Sequence, residues 1–99
     1  MSKKRERKVV VTTDKDRRGV FFGTLKTWKP HEQTCVLTNA RMCVYWSQST
    51  KGVLGLAANG PQAGSRITPS IPSIELNGVT SVMDATDIAV DQWEKGVWS

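Results

Sequence analysis

Histidine and tyrosine occur once each and cysteine twice in this chain of 99 residues. One imidazole and two thiols separated by seven residues do not supply the four ligands of a structural zinc site, so neither metal nor cofactor is expected. Long hydrophobic runs are missing as well. The longest uncharged stretch, Gly52 to Ser65, is rich in Gly, Ala and Asn, and it falls short of the roughly 20 apolar residues of a bilayer span. The Met-Ser-Lys-Lys-Arg start is not followed by an apolar segment with a cleavage site, so a secretory signal is excluded and an intracellular protein is expected. Gly-x-Ser-x-Gly is absent. Gly55 to Gly60 has the spacing of half a phosphate loop, but Pro61 and Gln62 stand where Lys and Ser or Thr are required. These absences argue against an enzyme and for a binding protein.

Acidic residues are scarce until the end of the chain. Residues 1–18 hold eight basic and three acidic groups, and residues 19–66 hold five basic groups against Glu32 alone. In residues 67–99 the sign reverses: Lys95 faces Glu75, Asp84, Asp87, Asp91 and Glu94. The net charge of +5 therefore summarises a basic two-thirds followed by an acidic third. Three consequences are open. The halves can cancel within one fold, the basic part can neutralise phosphates, or opposite-sign patches can assemble copies of the chain.

The size and the 38% hydrophobic content fit a single small domain. Residues 1–8 contain no apolar group after Met1 and read as a basic, mobile N-terminal arm; residues 9–99 read as one β-rich domain. Val9 to Val11, Val20 to Leu25 (continuing to Trp28), Thr34 to Leu37, Met42 to Trp46, Ile74 to Leu76 and Val79 to Met83 are strand-like, and Val53 to Ala57 reads as a short strand or bend. Thr38 to Arg41 suits a hairpin turn. Asn77-Gly78 is a stronger turn signal, or alternatively a bulge in one long bent strand. Thr86 as N-cap, Asp87 in the first turn and Gly96 just beyond Lys95 predict one helix over 87–95, with Ile88, Ala89 and Trp93 inward. The fold class is mainly β: a small curved antiparallel sheet or barrel of about six strands with one C-terminal α-helix.

A turn at Asn39-Ala40 places Cys35 and Cys43 on opposite sheet faces, as reduced, buried thiols. His31 follows Pro30 in a loop, so a Cys-His dyad is not required by the spacing. Gly60 to Arg66 could present backbone amides and a guanidinium to an anion, against the simpler reading of a connector. Phe21 or Phe22, Trp46 and Trp93 read as core, with Trp93 fixing the helix to the sheet. Trp28, between Lys26 and Lys29, and Trp98 are harder to bury and are candidate interface residues. Lys26 with Trp28 could also stack a base and pair with its phosphate.

Arg18 to Leu25 (RGVFFGTL), Ala40 to Ser47 (ARMCVYWS), Lys51 to Ala58 (KGVLGLAA), Gly60-Pro61, Gly64, Trp93 and Trp98 resemble a family of small tailed-phage and prophage proteins of unknown function. The resemblance runs from about Arg17 to Trp98 and leaves residues 1–8 outside. It implies a phage protein acting in the host cytoplasm and supplies no catalytic residue. The expected function is a non-enzymatic accessory protein that self-associates as a homo-oligomer and binds nucleic acid or a nucleotide. Its anionic site is drawn from Arg17, Arg18, Lys26, Trp28, Arg41 and Arg66. The alternative is an inhibitor of a host protein, or a minor virion component, using the acidic helix with Trp28 or Trp98.

Overall fold

β-Branched and aromatic residues alternating with smaller ones favour pleated structure over most of the chain. The computed structural model describes residues 7–13 and 19–95. It contains strands β1 (Arg7–Thr12), β2 (Gly19–Lys29), β3 (Thr34–Tyr45), β4 (Arg66–Ile67), β5 (Ile71–Leu76) and β6 (Val79–Asp84), and helices α1 (Gly52–Ala58) and α2 (Asp87–Lys95). A 3₁₀ turn at Gln48–Thr50 joins β3 to α1. The strands form one antiparallel sheet in the order β4-β3-β2-β1-β6, with β5 also paired to β3. β4 adjoins Cys43 and Tyr45, and β5 adjoins Cys35 to Ala40. The long third strand thus carries two short neighbours along one edge.

The two faces of the sheet are buried differently. On one, Val9, Val20, Phe22 and Cys43 pack with Ile67 beneath Leu56 and Ala57 of α1 and Ala89, Val90 and Trp93 of α2. On the other, Val10, Cys35, Leu37, Ala40, Leu76 and Val79 form a second cluster, bordered by Phe21, Leu25, Trp28, Ile74 and Val82. No described helix contributes to this second cluster; the sheet curls so that its own strands cover it. It remains open, because β5 and β6, although consecutive, pair with β3 and β1 and not with each other.

Several expectations change. Arg7 and Lys8 belong to β1, where they pair with Thr24 and Gly23, so the N-terminal arm does not reach residue 8; residues 1–6 lie outside the described residues. Thr34 to Tyr45 is one strand and not a hairpin. Asn39 adopts φ 49°, a left-handed conformation that Asn tolerates, and the chain continues in its original direction. This bulge shifts the side-chain phase: Cys35, Leu37 and Ala40 face the second cluster while Cys43 faces the helices. The thiols do lie on opposite faces, through a bulge and not through a turn. Pro30 to Gln33 makes the actual β2–β3 turn, closed by Gln33 N–H donating to the Pro30 carbonyl at 3.2 Å.

Val53 to Ala57 is helical and not a strand. Gly55 permits it: a Cβ there would stand 1.7 Å from the Thr50 carbonyl oxygen. Asn77-Gly78 is not a hairpin between paired strands. It is a corner that carries the chain from one sheet edge to the other, anchored by Val79 N–H donating to the Gln33 carbonyl at 2.9 Å and by the Gly78 carbonyl accepting from Thr13 N–H at 3.2 Å. α2 begins as expected, with Thr86 Oγ1 accepting from Ala89 N–H at 3.1 Å. Its buried face is Ala89, Val90 and Trp93, whereas Ile88 is exposed. Ile88 lies nearly opposite the centre of that face at roughly 100° per residue. Trp46 is half-buried against the helix-side cluster, and Val44 is exposed.

Candidate functional site

Arg7 opens β1 and points to the helix-covered side of the sheet, into a layer otherwise apolar. Only 7% of the residue is exposed. Its guanidinium lies 4.3 Å from the centre of the Phe22 ring, and Phe22 stacks on Trp93 with ring centres 4.9 Å apart and planes 5° from parallel. Cation, phenyl ring and indole therefore form a column across the sheet–helix interface. The Trp93 Nε1–H donates to the Leu56 carbonyl at 3.0 Å, so the column also joins α1.

The Arg7 donors are unevenly satisfied. Nη1 donates to Thr24 Oγ1 at 3.0 Å and to the Asn39 carbonyl at 3.3 Å. Nη2 is 3.7 Å from Glu94 Oε2, an ion-pair distance longer than a hydrogen bond. Nε is buried and has no partner. Burial pulls the guanidinium below its ordinary pKa; Glu94 opposes this, and Arg41 adds repulsion in the same direction as burial. The group stays charged at any ordinary pH.

Arg7, Thr24, Asn39, Arg41, Ser70, Val90 and Glu94 line a cleft of about 310 Å³. Arg41, opposite Phe22 in the sheet register, is directed there by the phase shift at Asn39 and donates from Nη1 to the Trp93 carbonyl at 3.2 Å. The cleft thus brings together two guanidinium groups and one carboxylate, Glu94, whose side chain is 55% exposed. It has the electrostatic character of an anion site, with a fixed cation at its floor.

Of the residues expected to bind an anion, Arg41 alone among the described residues lines this cleft. Lys26 and Arg66 are exposed on β2 and β4. Trp28 is half-buried against the second cluster. Arg17, Arg18 and Trp98 lie outside the described residues. Arg7 was legible only as one charge in a basic run. The signal that singles it out is its place one strand step before Val9, on the same face, so that its stem enters the layer where Val9 is buried.

The other candidates resolve into structure. Gly60 to Ser65 closes on itself: Gln62 Nε2 donates to the Asn59 and Gly60 carbonyls, and Ser65 N–H donates to the Gln62 carbonyl. Thr50, fully buried, accepts from Gln62 N–H at 3.0 Å. Cys35 and Cys43 are free and buried, and burial pushes both thiols up to about 11. His31 is exposed in the β2–β3 turn. Among the described residues no three His, Cys, Asp or Glu side chains cluster as metal ligands, and no helix is long and apolar enough to cross a membrane.

In comparison with known proteins, the model of a family described as a domain of unknown function, DUF6948, matches residues 6–93. It begins before Arg7 and therefore includes both cleft arginines, whereas Trp98 falls beyond it. No curated protein and no solved structure matches the chain.

Proposed function

The chain belongs to the DUF6948 family, and we propose that it is a non-enzymatic binding module that holds a phosphate-bearing ligand, nucleotide or nucleic acid, in the Arg7–Arg41 cleft. The observation that carries this reading is Arg7: a cation 7% exposed, with a buried Nε that has no partner, beside a second guanidinium and a solvent-accessible opening. A buried donor left unmatched costs about 1–3 kcal/mol, and more when it is charged; an anion in the cleft supplies compensating charge beside the Arg7 guanidinium in the bound state alone. Phosphate matches the planar fork of arginine donors. The phage origin, host-cytoplasm setting and self-association expected from the sequence belong to this proposal: an accessory protein whose copies assemble and present the cleft.

Titration of the full chain with inorganic phosphate and with single-stranded oligonucleotide at two salt concentrations tests the reading. Binding that weakens with salt and is lost in Arg41→Gln supports it. Binding that is insensitive to salt, retained in Arg41→Gln, or absent for both probes overturns it.

A further inference from the structure

We propose that the cleft selects a terminal phosphate on a small molecule or chain end, and that Glu94 is the built-in competitor that sets this selectivity. This deepens the anion-binding reading above and rests on it. The first observation is the Glu94 carboxylate itself. It lies 3.7 Å from Arg7 Nη2 while its side chain is 55% exposed, so it is held at ion-pair distance without being locked in place. An incoming phosphate oxygen takes the same position, and the carboxylate must swing out to admit it.

The second observation is the wall on which Glu94 stands. Asp87, Asp91 and Glu94 follow one another at four- and three-residue steps along α2, which puts them on one stripe of the helix. That stripe borders the buried face on the side of Val90, and Val90 and Glu94 both line the cleft. A nucleic-acid backbone crossing this rim brings successive phosphodiesters, one negative charge each, against the acidic stripe within a Debye length of about 8 Å. A terminal phosphate carries about −1.5 to −2 charge and three accessible oxygens, and it enters without trailing further charge over the helix. Among the described residues, the lining of the opening of about 310 Å³ holds two arginines as its basic groups, which suits one anionic group at a time.

Calorimetric titration of the full chain with a nucleoside monophosphate, a short oligothymidylate with hydroxyls at both ends, and the same oligomer bearing a terminal phosphate tests this. The monophosphate and the phosphorylated oligomer are expected to bind about tenfold or more tightly than the hydroxyl-ended oligomer. Glu94→Gln, confirmed folded by circular dichroism, is expected to tighten monophosphate binding severalfold and to narrow the difference between oligomers. Equal binding of the two oligomers, lost in Arg41→Gln, overturns the terminal-phosphate inference and leaves the anion site standing. Unchanged or weaker monophosphate binding in Glu94→Gln overturns the competitor role. No binding of any probe to either form overturns the anion reading too.

Discussion

In the proposed anion site, Arg7 serves stability and recognition in opposite ways. Its guanidinium covers the Phe22 ring, while its charge is only partly matched. Arg7→Met keeps the apolar cover and removes the orphaned Nε, so unfolding free energy should change by less than about 2 kcal/mol while phosphate binding disappears; urea titration and calorimetry on one sample separate the two effects. Trp93, fully buried, has no such ambivalence. Trp93→Ala removes the Phe22 stack and leaves the Leu56 carbonyl without its donor, and should cost about 3–5 kcal/mol in urea unfolding. The cysteines contribute through pH. Their thiols are raised from the ordinary 9.0 to about 11, so the folded state holds its protons longer than the unfolded one. This contribution is fully present below 9.0 and fades as pH rises through about 11. Unfolding followed across that window should lose less stability per pH unit in Cys35→Ala/Cys43→Ala than in the wild type. At neutral pH both thiols should resist alkylation until the chain is denatured.

Helix α2 was legible because Thr86 and Asp87 specify the same start, and the Thr86 cap forms in the fold. Thr86→Ala should cost about 1 kcal/mol as a lost N-cap, and more because Thr86 Oγ1 also donates to the Ala58 carbonyl at 2.6 Å; thermal melting checks it. Helix α1 was not legible. Its seven residues GVLGLAA include two glycines and a valine, which lower helix propensity; it forms because Leu56 and Ala57 are buried against Trp93 and its neighbours. Gly55→Ala should therefore be more damaging than Thr86→Ala, since its Cβ meets the backbone of Thr50 and not a movable side chain. The bulge in β3 was equally hidden. Asn39 resembles a turn residue in sequence because the left-handed conformation it adopts is the one hairpins use, and only the partners β2 and β5 on either side show that the strand runs on. That misread residue also aims Arg41 into the cleft, which is why the cleft was not legible in the sequence.

For the whole molecule, the division of charge along the sequence is partly cancelled within the fold. Lys8 pairs with Asp84 of β6 and Arg7 with Glu94 of α2, so the acidic last third lies against the basic first strand. The strand-rich class with a C-terminal helix was legible from alternation and turn residues, because those depend on local preferences. Which strands pair was not, since nothing local distinguishes a hairpin at Asn77-Gly78 from a corner that changes edges. The proposed self-association predicts a particle mass in light scattering that is a multiple of 11.0 kDa. That corner has a further consequence for how the protein is made. β1 pairs with β2 and β6, so the first strand of the sheet gains its second neighbour only after the other strands have been translated. Until then its far edge is open to other strands. Closure of the long loop between β1 and β6 should therefore limit the refolding rate, and stopped-flow refolding should slow more in Val82→Ala, at the β1–β6 seam, than in Thr86→Ala.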